Sequence, residues 1–442
     1  MADAPANSAA LDADPRPRSA VSVGVGLAGL AGLLLWTAVA RAFGMVGPLA
    51  AIVALLSCSV PMVLWSLLVD KVHRNPSTGI DWDNAPRPVQ DVIDTSIVKI
   101  AGLWAIWGAI GCLYCIGRWY WAPPYLFSMQ LFIVAAVPLV VLSVPYVVWL
   151  DRRLKEPRDG AWHFGTWLIG RTHEADREMV FDFLRSWAIK GFFLAFMLAI
   201  VPANWEKAVG TSAEWILASP AQLALWLVAL MFMIDVTMAA LGYVLTMKPL
   251  DAHIRSANPY ASGWMAALMC YPPFLLMDDA LNYHIGTAGP DGWVYWLEGW
   301  PMLQAVHGAW LVFLTGVYAW ATVAFGLRFS NLTHRGILTH GPYAWSKHPA
   351  YVSKNLFWWF AVLPFLSMTG SYADMVRNMA ILGIVSGIYY WRAKTEERHL
   401  SEDPAYRQYA DWMERRGPVP RFIGWLIGAP RPPAGAAAAP AE

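Results

Sequence analysis

Residues able to do chemistry gather near the end of the chain. His340-Gly341-Pro342-Tyr343 is followed by Lys347-His348-Pro349-Ala350-Tyr351, and farther on by Arg392, Glu396-Glu397 and Leu400. Tyr343, His348 and Tyr351 offer hydrogen bonds, and an aromatic face attracts a nearby cation. Glu396 and Glu397 accept hydrogen bonds and balance positive charge. Arg392 lies one helical turn before Glu396, so the two share a face and can pair; alternatively, Arg392 holds the carboxylate of a ligand. Gly341 accepts unusual backbone angles and Pro342 fixes its own, which makes a tight bend. Each piece alone has a plain explanation: Gly-Pro-Tyr is a common turn, His-Pro often marks a helix boundary, and paired glutamates often cap a helix in water. The ordered combination points instead to a site for a polar, charged cofactor.

The elements that must hold these groups are membrane helices. The chain has 442 residues, 57% hydrophobic and 14% charged, with a mean hydropathy of +0.41; a soluble domain carries about a quarter charged residues. Apolar runs long enough to span a bilayer recur throughout. The expected fold class is therefore all-α, a polytopic membrane helical bundle of about ten transmembrane helices. They fall at 21–40, 47–69, 97–117, 127–149, 188–204, 219–246, 260–277, 303–327, 351–368 and 374–392. The last two are short and read as a hairpin that enters from one side and returns. Four regions follow: a disordered tail over 1–20, an N-terminal transmembrane region of unknown role over 21–300, a core carrying the polar cluster over 301–429, and a disordered Pro/Ala-rich tail over 430–442. Tryptophans sit near segment ends, as at Trp119, Trp121, Trp293 and Trp300, where indole suits the headgroup level.

Charge placement orients the bundle. With the N-terminus inside, the outside segments hold only Arg41, Arg118, Lys207 and Arg377, while most of the remaining basic residues fall in inside segments. The positive-inside rule then puts both termini, the 150–187 loop and the polar cluster on the cytoplasmic side of a multi-pass protein, in a prokaryotic inner membrane. A soluble cofactor would be available there. The net charge of +1 says nothing about a nucleic-acid partner, and no basic tract stands apart from the membrane flanks, so no nucleic acid is expected; the expected partner is the lipid bilayer, and the oligomeric state leaves no signal.

The polar cluster resembles the cofactor site of the integral-membrane methyltransferases typified by isoprenylcysteine carboxyl methyltransferase and the phospholipid N-methyltransferases. Their pattern, G-P-Y-x4-H-P-x-Y then R-x3-E-E-x2-L, is present here in order over about residues 305–425. The resemblance implies a methyltransferase-like core that binds S-adenosyl-L-methionine through His340, Gly341, Pro342, Tyr343, His348, Pro349, Tyr351, Glu396 and Glu397. It places Arg392 and Tyr351 at the reacting centre and implies a lipid-like or prenylated acceptor, with carboxyl O-methylation favoured. Two departures stand out. Lys347 replaces the usual Arg and loses its planar fork, and the usual closing Ile-Pro is Ile423-Gly424. Phe357, Trp358, Trp359 and Phe360 cover a full helix circumference, so at least one is expected to face the acceptor's apolar chain.

Two other functions fit parts of the chain. A membrane reductase of sterol type would bind NADPH, but its phosphates would want Arg or Lys where Glu396-Glu397 stands. A transporter or assembly factor would use the large N-terminal region and Asp235, a carboxylate inside an apolar span; a simple interhelical contact explains Asp235 equally well. No metal is expected: His334, His340 and His348 do not form repeated H-x3-H boxes, and Glu396/His399 supplies a single E-x2-H where a di-iron bundle needs two. Cys58, Cys112, Cys115 and Cys270 read as small buried packing residues. Residues 174–187 read as an interfacial amphipathic helix or as the polar start of the next span. The loop holding Asp278, Asp279, His284, Asp291 and Glu298 reads as exposed and acidic, and Asp70–Pro76 as a solvated turn.

Overall fold

The computed structural model describes residues 16–274 and 281–426. The chain is mostly helical, with almost no strand. Its helices are α1 (Val23–Phe43), α2 (Pro48–Leu64, extended by a wide turn to Val69), α3 (Val89–Gly117), α4 (Leu126–Asp151), α5 (Gly160–Leu168), α6 (Arg177–Gly210), α7 (Ala213–Leu217), α8 (Pro220–Val244), α9 (Ala261–Leu268), α10 (Gly292–Trp296), α11 (Pro301–Phe325), α12 (Pro349–Val362), α13 (Tyr372–Leu400), α14 (Pro404–Arg416) and α15 (Pro418–Leu426). One short antiparallel pair, β1 (Ser256–Ala257) with β2 (Thr333–His334), joins two loops.

Seven helices among the described residues are long and apolar enough to cross a membrane: α1, α2, α3, α4, α6, α8 and α11. Of the about ten spans expected from the sequence, three do not form helices of that kind. The seventh expected span, 260–277, is only α9, which stops at Leu268 shortly before Pro272-Pro273, where the missing N–H groups and fixed φ oppose a helix. The ninth is α12, a helix of 14 residues and about 21 Å long, too short for a hydrocarbon core of about 30 Å. It ends at Leu363, φ 50°, because Pro364 follows and disfavours helical angles in the residue before it. The tenth is α13, which is long, but Asp374, Arg377 and Asn378 at its start and the charged run from Arg392 leave an apolar stretch of only about 20 Å.

The core sits where α8 runs beside α6 and α11, with α1 and α2 packed on its flank. Leu33, Met62, Phe193, Trp205 and Met238 are fully enclosed there. Gly26 lets α1 close on α11, since a Cβ would lie 2.3 Å from the Val323 carbonyl oxygen. Asp235 on α8 accepts a short hydrogen bond from Thr322 on α11, which is the interhelical contact. By contrast, α3 and α4 form the periphery, and Val134 and Val137 on α4 are more than 70% exposed, as expected of side chains that face lipid. Cys112 and Cys115 on α3 are exposed too; the expectation that all four cysteines are buried holds for Cys58 and Cys270.

Residues 177–187 are continuous with the long helix α6, whose N-cap Asp176 accepts from Glu178 and Met179 backbone N–H groups. They are thus the polar start of that span. Asp278, Asp279 and the two outer tails, 1–15 and 430–442, lie outside the described residues, while Asp291 and Glu298 are exposed. Residues 16–20, expected to belong to a disordered tail, form a strap: Ala20 N–H donates to the Ile337 carbonyl at 2.9 Å, and Arg16 to the Thr339 carbonyl at 3.1 Å.

A buried charge node ties the loops at one end of the bundle. Asp251, after α8, accepts from Arg328 at 2.8 Å, Asn75 at 2.9 Å and Ser77 at 2.8 Å. The Asp70–Pro76 stretch is therefore fastened rather than merely solvated. Arg335 donates to four backbone carbonyls, those of Gly242, Ala252, Leu327 and Phe329. Those of Gly242, Leu327 and Phe329 lie at or just beyond the C-terminal ends of α8 and α11, among groups a helix leaves without an internal partner, and that of Ala252 lies in the loop after α8. Arg335→Met should lower the unfolding free energy by about 3 kcal/mol or more, because buried carbonyls lose their donor. Arg335→Lys should recover only part of it, since an ammonium lacks the planar fork. Denaturation of the purified variants in mixed micelles measures both.

Candidate active site

The site is assembled from three pieces of backbone held by that node. Gly341 takes φ 58°, a left-handed angle that glycine accommodates, and turns the chain from the end of α11 into a short 3-10 turn over Gly341–Ala344. A Cβ at Gly341 would also lie 3.3 Å from the Trp320 indole nitrogen. Pro349 then starts α12 at a position where its missing N–H costs nothing. α13 returns beside α12 and delivers Arg392, Glu396 and Glu397 to the same end.

There the two halves of the motif bond to each other. Tyr351 donates to Glu396 Oε1 at 2.5 Å, and Arg392 Nε lies 3.3 Å from the same oxygen. Arg392 is 3% exposed and also donates to Asn331 Oδ1. Its guanidinium lies over the Tyr351 and Tyr271 rings at 5.1 and 5.5 Å. His348 Nε2 sits 2.9 Å from Glu397 Oε1, and its ring stacks on Tyr351. Glu397 is further held by Lys394 at 2.9 Å and Lys347 at 3.6 Å. Burial alone would push the Glu397 carboxyl up, but hydrogen bonds from His348 and Lys394 and the charge of Lys347 bring it down to about 2.

A cavity of about 160 Å³ opens beside this cluster. Of the expected site residues, Tyr343, His348, Tyr351, Arg392 and Glu396 border it. Glu397 stands behind His348, and Pro342 and Pro349 are buried in backbone turns. His340 turns away: its Nε2 is 3.0 Å from the Val21 carbonyl in the N-terminal strap. Burial, opposed in part by that bond, holds its imidazole below the ordinary range. The hairpin residues differ from expectation as well. None of Phe357, Trp358, Trp359 or Phe360 borders the cavity; Phe357 packs in a core with Ala224 and Trp293, and Trp359 donates to Ser386 at 3.1 Å. α12 instead presents Ala350, Tyr351 and Lys354 to the cavity.

Several bordering residues carry no sequence signature. Asn258, Tyr271, Asn331 and Arg335 come from loops or short elements far from the motif in sequence, and Tyr318, Lys354 and Tyr389 from apolar helices. Tyr406 and Tyr409 on α14 close one side, and Tyr409 OH donates to the Tyr343 carbonyl at 2.7 Å. Three polar atoms of residues bordering the cavity, Asn258 Nδ2, Arg335 Nε and Tyr406 OH, are buried without a partner. Among the described residues no group of His, Cys, Asp and Glu is placed to hold a metal.

The depressed Glu397 carboxyl sets an acid dependence. Its folded value near 2 lies below the ordinary 4.5, so its stabilisation is full above about 4.5 and is lost as pH falls towards 2. Wild type should lose about 1–3 kcal/mol more than Glu397→Gln over that interval, read from denaturation midpoints at a series of pH values. No protein-family model, curated protein or solved structure matches the chain.

Proposed function

We propose that the chain is an integral-membrane methyltransferase that uses S-adenosyl-L-methionine and acts on a lipid-like or prenylated acceptor, with carboxyl O-methylation favoured. The observation that carries this reading is the convergence of Tyr343, His348, Tyr351, Arg392 and Glu396 on one cavity at the end of the bundle where the basic loops gather. The residues suit the cofactor in kind. Tyrosine faces favour a sulfonium cation, and Glu396 supplies the negative charge. Asn258 Nδ2 and Tyr406 OH are unpaired and available to a polar ligand. The bound cofactor would supply an electrophilic methyl group.

The chain's own residues then have two tasks. One is alignment: a methyl transfer needs donor and acceptor in line with water excluded, and the aromatic lining with the His348–Glu397 pair behind it fixes that geometry. The other is to hold the acceptor. Arg392 is buried, has a single carboxylate neighbour at hydrogen-bond distance, and faces the cavity. It would orient an acceptor carboxylate, which needs no general base. An amine acceptor would have to lose a proton, and the Tyr351–Glu396 hydrogen bond is the nearest group able to take it.

A reductase reading rests on a specific observation too. Lys347, Lys354 and Arg392 all border the cavity, and such cations suit the phosphates of NADPH. Equilibrium binding of labelled S-adenosyl-L-methionine and of NADPH to the detergent-purified full chain separates the two. Binding of the first is expected; binding of NADPH alone would overturn the proposal. His348→Ala and the Glu396→Ala/Glu397→Ala pair should each weaken cofactor binding at least about tenfold, equal to about 1.4 kcal/mol, as for lost charge-assisted hydrogen bonds. Unchanged affinity in folded variants would remove these residues from the site.

The proposal needs the cavity on the cytoplasmic side, with both termini there. Gly160 is a poor probe position, because a Cβ there would lie 3.1 Å from Phe183 Cβ. His173 is better, with its side chain 80% exposed. In a chain lacking Cys58, Cys112, Cys115 and Cys270, His173→Cys should react with an impermeant maleimide only after the inner membrane is opened. Reaction from outside intact spheroplasts would reverse the orientation.

A further inference from the structure

A second cleft lies on the other side of His399 from the cavity described above. It is larger, about 730 Å³. Its walls come from the first turns of α6, the loop after α8 and the C-terminal end of α13. Ser256 Oγ and His399 Nε2, 3.0 Å apart, form part of the partition.

Arg185, Lys190, Lys248 and Arg255 all line this cleft. Among the described residues, no acidic group lies within ion-pair distance of Arg185, Lys190 or Arg255. Four carboxylates also line the cleft; three of them have partners of their own, although Asp159 Oδ1 is buried without one, and Glu178 makes no ion pair with these cations. Asp159 is held by Lys99 at 2.9 Å and Lys248 at 3.5 Å, Asp182 accepts from the Ala257 N–H at 2.8 Å, and Glu402 accepts from Tyr260 at 2.8 Å. Arg185 Nε and His253 Nδ1 are buried without a partner. A buried donor left unpaired costs free energy, and buried polar groups are normally satisfied. An anion with several acceptor oxygens would satisfy these donors together, and the planar guanidinium of Arg185 fits a phosphate well.

The other wall is apolar. Met179, Phe183 and Trp187 recur every fourth residue along α6 and line the same cleft. α6 has 34 residues, about 51 Å of helix, against a hydrocarbon core of about 30 Å. Its first turns therefore stand at the membrane surface, where Trp187 suits the headgroup level. Lys190 lies over that indole at 4.4 Å. Cations facing an apolar stripe at this height match an amphiphile with an anionic head.

We propose that this cleft binds a phosphate-bearing anion, held by Arg185, Lys190 and Arg255, with the stripe on α6 taking an attached acyl chain. The site is separate from the proposed cofactor cavity and does not depend on the methyltransferase reading.

Binding to the purified full chain in maltoside micelles, followed by isothermal titration, tests it with three probes: dioctanoyl phosphatidylglycerol, inorganic phosphate and uncharged dioctanoylglycerol. Phosphatidylglycerol should bind, and Arg185→Gln/Lys190→Gln/Arg255→Gln should weaken it at least tenfold. Arg171→Gln, outside the cleft, should not. If inorganic phosphate binds as well as the lipid and responds to the same variant, the anion is free phosphate and the acyl stripe is unused. If phosphatidylglycerol and phosphate both fail to bind, if dioctanoylglycerol binds equally well, or if the triple variant binds like wild type, the proposal is overturned. Should the triple variant melt well below wild type, the single Arg185→Gln chain replaces it, with at least a threefold loss expected; an unchanged affinity overturns the proposal.

Discussion

Arg335 sits 3% exposed among carbonyls that two membrane helices leave behind when they end. Buried carbonyls need donors. A guanidinium with five donors answers several at once. Arg328 and Asp251, 5% and 2% exposed, complete the arrangement and bring in the 75–77 turn. A buried charge without its partner is costly, so the segments that meet here have little freedom to separate. The ends of α8 and α11, the 75–77 turn and the 326–335 loop are thereby fixed relative to one another.

The candidate site inherits that rigidity. Asn331 lies within the fastened loop and accepts from Arg392, so the loop sets where the guanidinium can point. Arg392 in turn braces Glu396, and Glu396 holds Tyr351. The N-terminal strap contributes from the outside, through Thr339 and His340. Arg392 on α13 thus depends on a loop residue 61 positions before it.

The cavity and the second cleft share His399, whose imidazole is held below its ordinary range chiefly by burial. Both lie at the end of the bundle where the basic loops converge. This placement follows from the odd geometry of the last third. α12 is short and α13 is polar near its ends, so they bring charged groups to this end, while α11 lines the cavity and α6 the cleft.

Much of this was legible in the sequence. Apolar runs set α1, α2, α3, α4, α6, α8 and α11, because unpaired backbone groups in hydrocarbon leave helix as the open choice for such segments. The spacing of Arg392 and Glu396 set their shared face, and the order of the Gly-Pro-Tyr, His-Pro and Glu-Glu elements marked the residues that come together. Pro272-Pro273 and Pro364 could have shortened the seventh and ninth spans, had backbone chemistry been weighed above hydropathy. What only the tertiary structure decided was partnership across distance. Nothing in the sequence marks Asn258, Tyr271 or Asn331 as neighbours of the motif, or separates Glu396, which borders the cavity, from Glu397, which braces His348. Nor does it turn His340 towards the N-terminal strap. Those outcomes depend on which buried donors and acceptors find each other once the helices pack, a condition set by three-dimensional proximity and invisible to spacing along the chain.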